Sequence, residues 1–333
     1  MQEYSFRLAG AADEAAIRQF VRTHWESRHP LVELPDFFAY YYKIRPGQLN
    51  FALCERGDAL CAVAGFVYAN QCEAPDVWVS LWVADKAASG SGLELMEALP
   101  RLCGCRTLAC NNIRPETRPF YHFLGFTTGR VAHYYRLAQR ARYTVARVEN
   151  PRISPVGGAA QLTLLPNAAA LATSGFVPPK TANPCKDLWY IARRYFAFPR
   201  QEYRLYAAAL PGAAPCALLA ARVVPVNGTN VLRLVDYIGP AGFLPEMGAA
   251  IQTLLDETGA EYADLYCAGL PEDVLYKAGF VPRAEGDESV VIPNYLTPLV
   301  RENVEYYYFT NRPEGFCLFR ADGDQDRPHT PLP

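Results

Sequence analysis

Gly90-Ser91-Gly92 stands between the alternating run DVWVSLWVA and a helical pattern in which Leu93, Met96, Leu99 and Leu102 recur at three-residue steps. A strand, a tight glycine turn and a helix aim several free backbone N–H groups at one point, where the helix dipole adds positive potential. The amides of Ser89, Gly90, Ser91, Gly92 and Leu93 are therefore a candidate cradle for pyrophosphate. Glycine lets the backbone approach phosphate oxygens without a Cβ in the way, and Ser89 and Ser91 add hydroxyl donors. The same two glycines would serve a plain strand-to-helix connection equally well. Position 95 is Leu, so the third glycine of a dinucleotide site is missing, as is the Gly-Lys-Ser/Thr of a triphosphate loop.

Two further clusters carry titratable groups. THWESRHP offers His24, Glu26 and His29 as candidates for a general base, against the plain alternative of surface or packing residues. The tail RADGDQDRP supplies Asp324, Asp326 and Arg327, and Asp/Arg pairs can bind sugar hydroxyls or phosphate, or dock one part of a chain on another. A solvated terminal run is the plain alternative there. Cys110 has no basic partner near it in sequence and is expected to remain a thiol. No metal site is expected, because Cys103-Gly-Cys105 lacks a zinc-knuckle gap and the histidines do not pair with cysteines at ligand spacing.

The elements that must position these groups repeat. The first half reads as a strand at 5–8, helices at 11–21 and 34–43, a hairpin about Arg56-Gly57-Asp58, the strand DVWVSLWVA and the helix after the glycine turn. RTLACN follows as a strand, RPETRPFYHFLGF as a short helix ending at Gly125, and RVAHYYRLA as a last strand. Between Glu149 and Asn183 the composition turns to Pro, Gly, Ala and Ser, which reads as a linker. Beyond it the same order recurs: a hairpin, the strand NVLRLVDYIG, the helix PEMGAAIQTLLDETG, the strand YADLYCAG and the short helix PEDVLYKAGF. Gly125 and Gly279, each before Phe, lie 154 positions apart, and Gly65 and Ala221 lie 156 apart. A near-constant offset points to duplication of one plan. The expected fold is α/β: tandem domains, each a mixed, mostly antiparallel sheet flanked by helices, at 1–145 and 186–333 with 146–185 between them.

The turn followed by FYHFLGF resembles the GNAT family of acyl-coenzyme A N-acyltransferases, whose signature is Gln/Arg-x-x-Gly-x-Gly/Ala after the fourth strand and a Tyr before Gly-Phe after the fifth. Ala87 to Gly92 occupies the first motif, without the leading Gln/Arg, and Tyr121 matches the second. The resemblance implies acetyl-coenzyme A, or another acyl-coenzyme A, as cosubstrate, its pyrophosphate on the amides of Ser89 to Leu93. It places a backbone donor for the thioester oxygen at Val83 and makes Tyr121 the proton donor to the departing thiolate. His24, Glu26 and His29 fall where such proteins build the acceptor wall. HPLVELPDFFAYYYK, DVWVSLWVAD, HYYRL and FRADGDQDRP further resemble two-domain GNAT-type proteins found with genes for bacterial O-antigen and other surface polysaccharides. That likeness implies N-acylation of an amino sugar, carried on a nucleotide. The second half reads DYIGPAGFLPEMG at the equivalent turn, with no close Gly-x-Gly, so one working coenzyme site is expected.

Two alternatives stay open at this point: an acyl-carrier-protein or aminoacyl donor, and a non-catalytic tandem scaffold or sensor. With 50% hydrophobic residues, 20% charged residues and a net charge of −2, neither disorder nor a nucleic-acid partner is expected. No apolar run reaches the roughly 20 residues of a membrane span, and the start lacks the pattern of a signal peptide. A cytoplasmic protein with ten free thiols is expected. The 21 tyrosines and 17 phenylalanines suit an aromatic cleft or a homodimer face equally.

Overall fold

The computed structural model describes residues 3–25 and 28–328. In the first half, β1 (Ser5–Gly10) leads into α1 (Glu14–His24), which buries Ile17, Phe20 and Val21 as one stripe. Short helices α2 (Pro30–Glu33) and α3 (Pro35–Tyr42) each start on a proline. The hairpin β2 (Gln48–Arg56) and β3 (Ala59–Tyr68) precedes β4 (Asp76–Ala84), α4 (Ser91–Cys103), β5 (Thr107–Ile113), α5 (Arg118–Phe123) and β6 (Thr127–Leu137). The rest of the chain adds β7 (Arg147–Val148), β8 (Gln161–Leu165), α6 (Ala168–Thr173), α7 (Leu188–Phe196), β9 (Arg204–Ala209), β10 (Ala217–Val226), β11 (Thr229–Ile238), α8 (Gly248–Glu257), β12 (Ala260–Ala268) and α9 (Glu272–Lys277). It closes with the short strands β13 (Val281–Pro282), β14 (Val290–Val291), β15 (Tyr295–Leu296) and β16 (Leu299–Val300), then β17 (Tyr306–Thr310) and β18 (Leu318–Phe319). No helix among the described residues is long and apolar enough to cross a membrane.

One sheet runs through both halves in the order β1-β2-β3-β4-β5-β17-β6-β12-β11-β10-β9-β8. Only β4–β5 and β11–β12 pair in parallel within it. The halves exchange strands: β17, from the C-terminal region, lies between β5 and β6, and β6 pairs on its other side with β12. No element is assigned to EYYYFT from the sequence alone, and nothing in its composition says which half its strand joins.

The repeat is exact at one irregularity. In β4 the ladder with β3 slips between Phe66↔Val79 and Gly65↔Leu81, so Ser80 is a bulge. In β11 the ladder with β10 slips between Ala221↔Leu234 and Ala220↔Asp236, so Val235 is a bulge 155 positions later. A bulge reverses which face later side chains take. Val77 and Val79 pack with α4, while Leu81 and Val83 pack with α1 and α3. The repeat also begins earlier than the composition suggested. Residues 146–185, read as linker, contain β8, which pairs with β9 as β1 pairs with β2. QLTLL carries three leucines, but as an edge strand it buries only Leu165 and leaves Leu164 exposed, so its burial does not follow the alternation that marks a half-buried strand.

Candidate functional site

The turn before α4 has the conformation its glycines suggest. Gly90 has φ +83°, the left-handed region, and serves as N-cap. Gly92 is required by packing: a Cβ there would lie 2.9 Å from Ala84 Cβ and 3.2 Å from Trp82 Nε1. Trp82 Nε1 instead donates to Gly92 O at 3.2 Å, pinning the helix start onto β4. Ser91 N–H is engaged by Ala88 O, and its hydroxyl turns inward to Cys61 O at 3.2 Å, so the Ser91 side chain does not face the cradle. Gly92 and Leu93 N–H, in the first turn of α4, have no acceptor among the described residues. Ser89 and Gly90 are exposed. Tyr4 donates to Ser89 O at 3.0 Å, and Arg56 lies over the Tyr4 ring at 4.4 Å. With the exposed Lys86, this puts cations around the turn that the motif reading did not include.

β4 and β5 pair only from Asp76–Trp78 to Thr107–Ala109, after which they part. Asp85 N–H donates to Cys61 O across the β3 ladder. By the two-residue alternation of a strand, Val83, paired with Val63, turns its N–H to β3 as well. The donors facing the parting therefore belong to Trp82 and Ala84, which corrects the expectation placed on Val83. Tyr121 lies at this parting on the α4 face, its ring centroid 6.0 Å from Trp82 and 4.2 Å from Phe309 of β17. Burial lifts its phenol well above the ordinary range, so it is neutral at pH 7. Cys110 is also buried and its thiol is pushed up, which removes it as a nucleophile.

The acidic tail is docked, and its groups play unequal parts. Asp326 is a clamp: Oδ1 accepts from Arg222 and Arg320, and Oδ2 from Gln201 and Tyr203, at 2.8–3.0 Å. Those cations hold its carboxyl well below the usual range, and both oxygens are engaged by the chain. That removes Asp326 as a free sugar-binding group. Arg327 pairs with Asp324 at 2.5 Å. Asn111 Nδ2 on β5 donates to Phe319 O and Asp322 O, and Gly323 sits over Trp78, the last β4 residue paired with β5.

The three base candidates separate. His24 Nδ1 lies 3.6 Å from Asp85 Oδ1, just before the glycine turn. Glu26 lies outside the described residues. His29 is buried, stacks on Trp25 at 4.4 Å, and leaves Nδ1 without a partner. Burial and the Arg327 guanidinium lower its pKa to about 4. The unfolded chain takes up this proton near 6.5, so stability is full above that pH and falls as pH drops from there toward 4. His29→Gln is expected to remove up to about 3 kcal/mol of the stability lost between pH 7 and 4. Urea midpoints at several pH values check this; an unchanged pH slope would show that His29 does not carry the effect.

The second half has the same grooves, filled by the chain itself. Residues 156–160 cross the start of α8: Gly157 O accepts from Ala249 N–H at 2.7 Å, and Ala160 N–H donates to Glu246 O at 3.0 Å. Val156 meets Gly279 at the end of α9. Between β11 and β12, β18 pairs with the end of β12, and Ala321 N–H donates to the bulge carbonyl of Val235 at 2.9 Å. Among the described residues no strand enters the corresponding parting of β4 and β5.

No family model matches the sequence, and no curated protein matches it. Solved structures do. A GCN5-related N-acetyltransferase from Anabaena variabilis is 10% identical, with 92% of this chain and 72% of that one covered and a TM-score of 0.54. A conserved protein of unknown function from Enterococcus faecalis, described as a probable N-acyltransferase, is also 10% identical, with 93% and 72% covered and a TM-score of 0.51. The fold is that of the GCN5-related N-acetyltransferases, an α/β architecture with a large mixed sheet flanked by helices.

Proposed function

We propose that the protein is an N-acyltransferase that takes an acyl group from acetyl-coenzyme A, or another acyl-coenzyme A, bound in the first half, and transfers it to an amino sugar. The observation that carries this reading is the contrast between the two grooves. In the second half, residues 156–160 and 318–321 engage the helix amides and the strand parting; in the first half, among the described residues, Gly92 and Leu93 N–H have no acceptor and no strand enters between β4 and β5. The helix N-terminus with αL Gly90 suits pyrophosphate, and Lys86 and Arg56 add positive charge beside it. Trp82 and Ala84 offer N–H donors where charge would develop on a thioester oxygen. The acceptor as a nucleotide-linked amino sugar, used in bacterial surface polysaccharide synthesis, rests on the likeness of HPLVELPDFFAYYYK, HYYRL and FRADGDQDRP noted above.

Calorimetric titration with acetyl-coenzyme A tests the reading. Saturable binding in the micromolar range, with one site per chain, is expected; no binding would favour a carrier-protein donor or a scaffold. Tyr121→Phe is expected to lower coenzyme A release in the presence of glucosamine by about 10²-fold, the scale of general-acid catalysis, with acetyl-coenzyme A affinity unchanged. Equal turnover by the variant would return Tyr121 to a packing role.

A further inference from the structure

We propose that Cys72 and Cys185 are a redox-active pair, which a low-molecular-weight disulfide such as oxidised glutathione converts into a disulfide bond. The inference stands apart from the acyl-coenzyme A reading above. All ten cysteines are free thiols in this structure, and only Cys72 and Cys216 are exposed. Cys72 lies in the loop between β3 and β4, and Cys185, 8% exposed, in the segment that leads into α7. The side chain of Asn70 holds the two together. Its Oδ1 accepts from Cys72 N–H at 3.2 Å and its Nδ2 donates to Cys185 O at 2.8 Å, so one primary amide spans the two backbones. Asp76 Oδ2 accepts from the same Nδ2 at 3.0 Å and from Cys185 N–H at 2.7 Å, and Gln71 N–H donates to Asp187 Oδ2 at 2.8 Å. Asn70 and Asp76 are both buried, which fixes residues 70–72 against 185–187.

Both cysteines line one cavity of about 610 Å³, with Val177 and Trp189 among its apolar walls and Arg106 and Lys180 as cations. That volume lies in the range of small-molecule sites, so a reagent of peptide size reaches Cys185 in spite of its burial. The two cations favour an anionic reagent. Residues 71–74 are exposed and outside any helix or strand, which leaves Cys72 room to close on its partner. Burial pushes the Cys185 thiol up, and the neighbouring Cys72 adds to this, so the exposed Cys72 reacts first. The Cys72 thiolate attacks one sulfur of the reagent, whose S–S bond breaks with its pair on the other sulfur. The Cys185 thiolate then attacks the Cys72 sulfur, and the mixed bond breaks with its pair on the second reagent sulfur. The two cysteines lose two electrons, the reagent gains them, and the two thiol protons pass through solvent to the released thiolates. The product ties the chain just before β4, at the end away from the glycine turn, to the chain just before α7.

The test uses the full chain with Cys216→Ser, which removes the other exposed thiol, in buffers of oxidised and reduced glutathione. Intact mass and a non-reducing peptide map are the readouts. The protein is expected to lose two hydrogens, to keep no glutathione, and to yield one linked pair of peptides carrying Cys72 and Cys185. Cys185→Ser in that chain should hold one glutathione on Cys72, and Cys72→Ser should react at least about 10-fold more slowly. Because the bond closes a long loop, the urea midpoint of the oxidised protein should exceed that of the reduced protein. Glutathione kept on Cys72 while Cys185 is present, a bond from Cys72 to any other cysteine, or no reaction at Cys72 overturns the proposal. So does a lower urea midpoint after oxidation, which would show that the bond forms only in a distorted chain. Should Cys185→Ser unfold, the peptide map of the parent chain decides by itself.

Discussion

Gly90→Asp is expected to leave the fold in place and to lower acetyl-coenzyme A affinity by about 100-fold or more. Gly90 is the N-cap of α4 at φ +83°, and Asp is among the residues that tolerate the left-handed region best, at a cost of roughly 1 kcal/mol. The same side chain can accept from Gly92 or Leu93 N–H, a capping contact that contributes about 1 kcal/mol, so the two effects nearly cancel. A phosphate then meets a carboxylate where it should meet free amides. Losing two charge-assisted hydrogen bonds, at about 1.5–3 kcal/mol each, corresponds to at least a 100-fold change. Glu94 Oε1 lies 3.3 Å from the position of an added Cβ and, as the end of a flexible side chain, can swing away from it. Gly92→Ala is the packing control: its Cβ would push α4 away from Ala84 and Trp82, so it should lower the unfolding temperature as well. Calorimetry with circular dichroism on both variants checks the pair. Wild-type affinity in Gly90→Asp would exclude this turn as the phosphate site.

The strands and helices of both halves were legible because each buries a periodic stripe. DVWVSLWVA alternates, and of the expected stripe on α4 Met96 and Leu99 are buried while Leu93 and Leu102 are only half-buried, Leu95 taking the inner position beside them. The bulge at Ser80 was not legible, since a slip in register leaves no mark on an apolar run, yet it decides which side chains and N–H groups face the parting. For the same reason Val83 looked right by position and is turned to β3, while Trp82 does the work of joining Gly92 and Tyr121. Helix α7 could have been found: Asp187 caps Tyr190 N–H at 2.8 Å, and Tyr190, Ile191, Arg194 and Tyr195 form the buried stripe. The tail's composition suggested docking, but only the fold separates Asp326, bound by four donors, from Asp324. Nothing local in PVGGAAQ announced that Gly157 and Gly158 would lie against Glu246 and the start of α8; that contact joins residues about 90 positions apart.

The strand exchange makes a second large effect predictable. Asp264→Ala is expected to destabilise the whole chain by about 3–5 kcal/mol, because it breaks a buried ionic seam between the halves. Asp264 on β12 accepts from Arg233 of β11 at 2.8–3.2 Å and contacts His133 Nε2 of β6 at 3.2 Å. Arg283 donates to His133 Nδ1 at 3.4 Å, which fixes the tautomer: Nε2 carries the proton and donates to Asp264. Burial lowers the His133 pKa to about 4, so the imidazole is neutral and the carboxylate balances Arg233. Removing the carboxylate leaves a 3% exposed guanidinium with only the carbonyls of Pro293 and Asn294. Asp264→Asn, which keeps an acceptor without the charge, should lose less. Because β6 and β12 form the ladder on which the halves meet, one cooperative transition should move to lower denaturant with its slope unchanged. Two separate transitions in Asp264→Ala would show instead that each half folds by itself and that the seam only docks them.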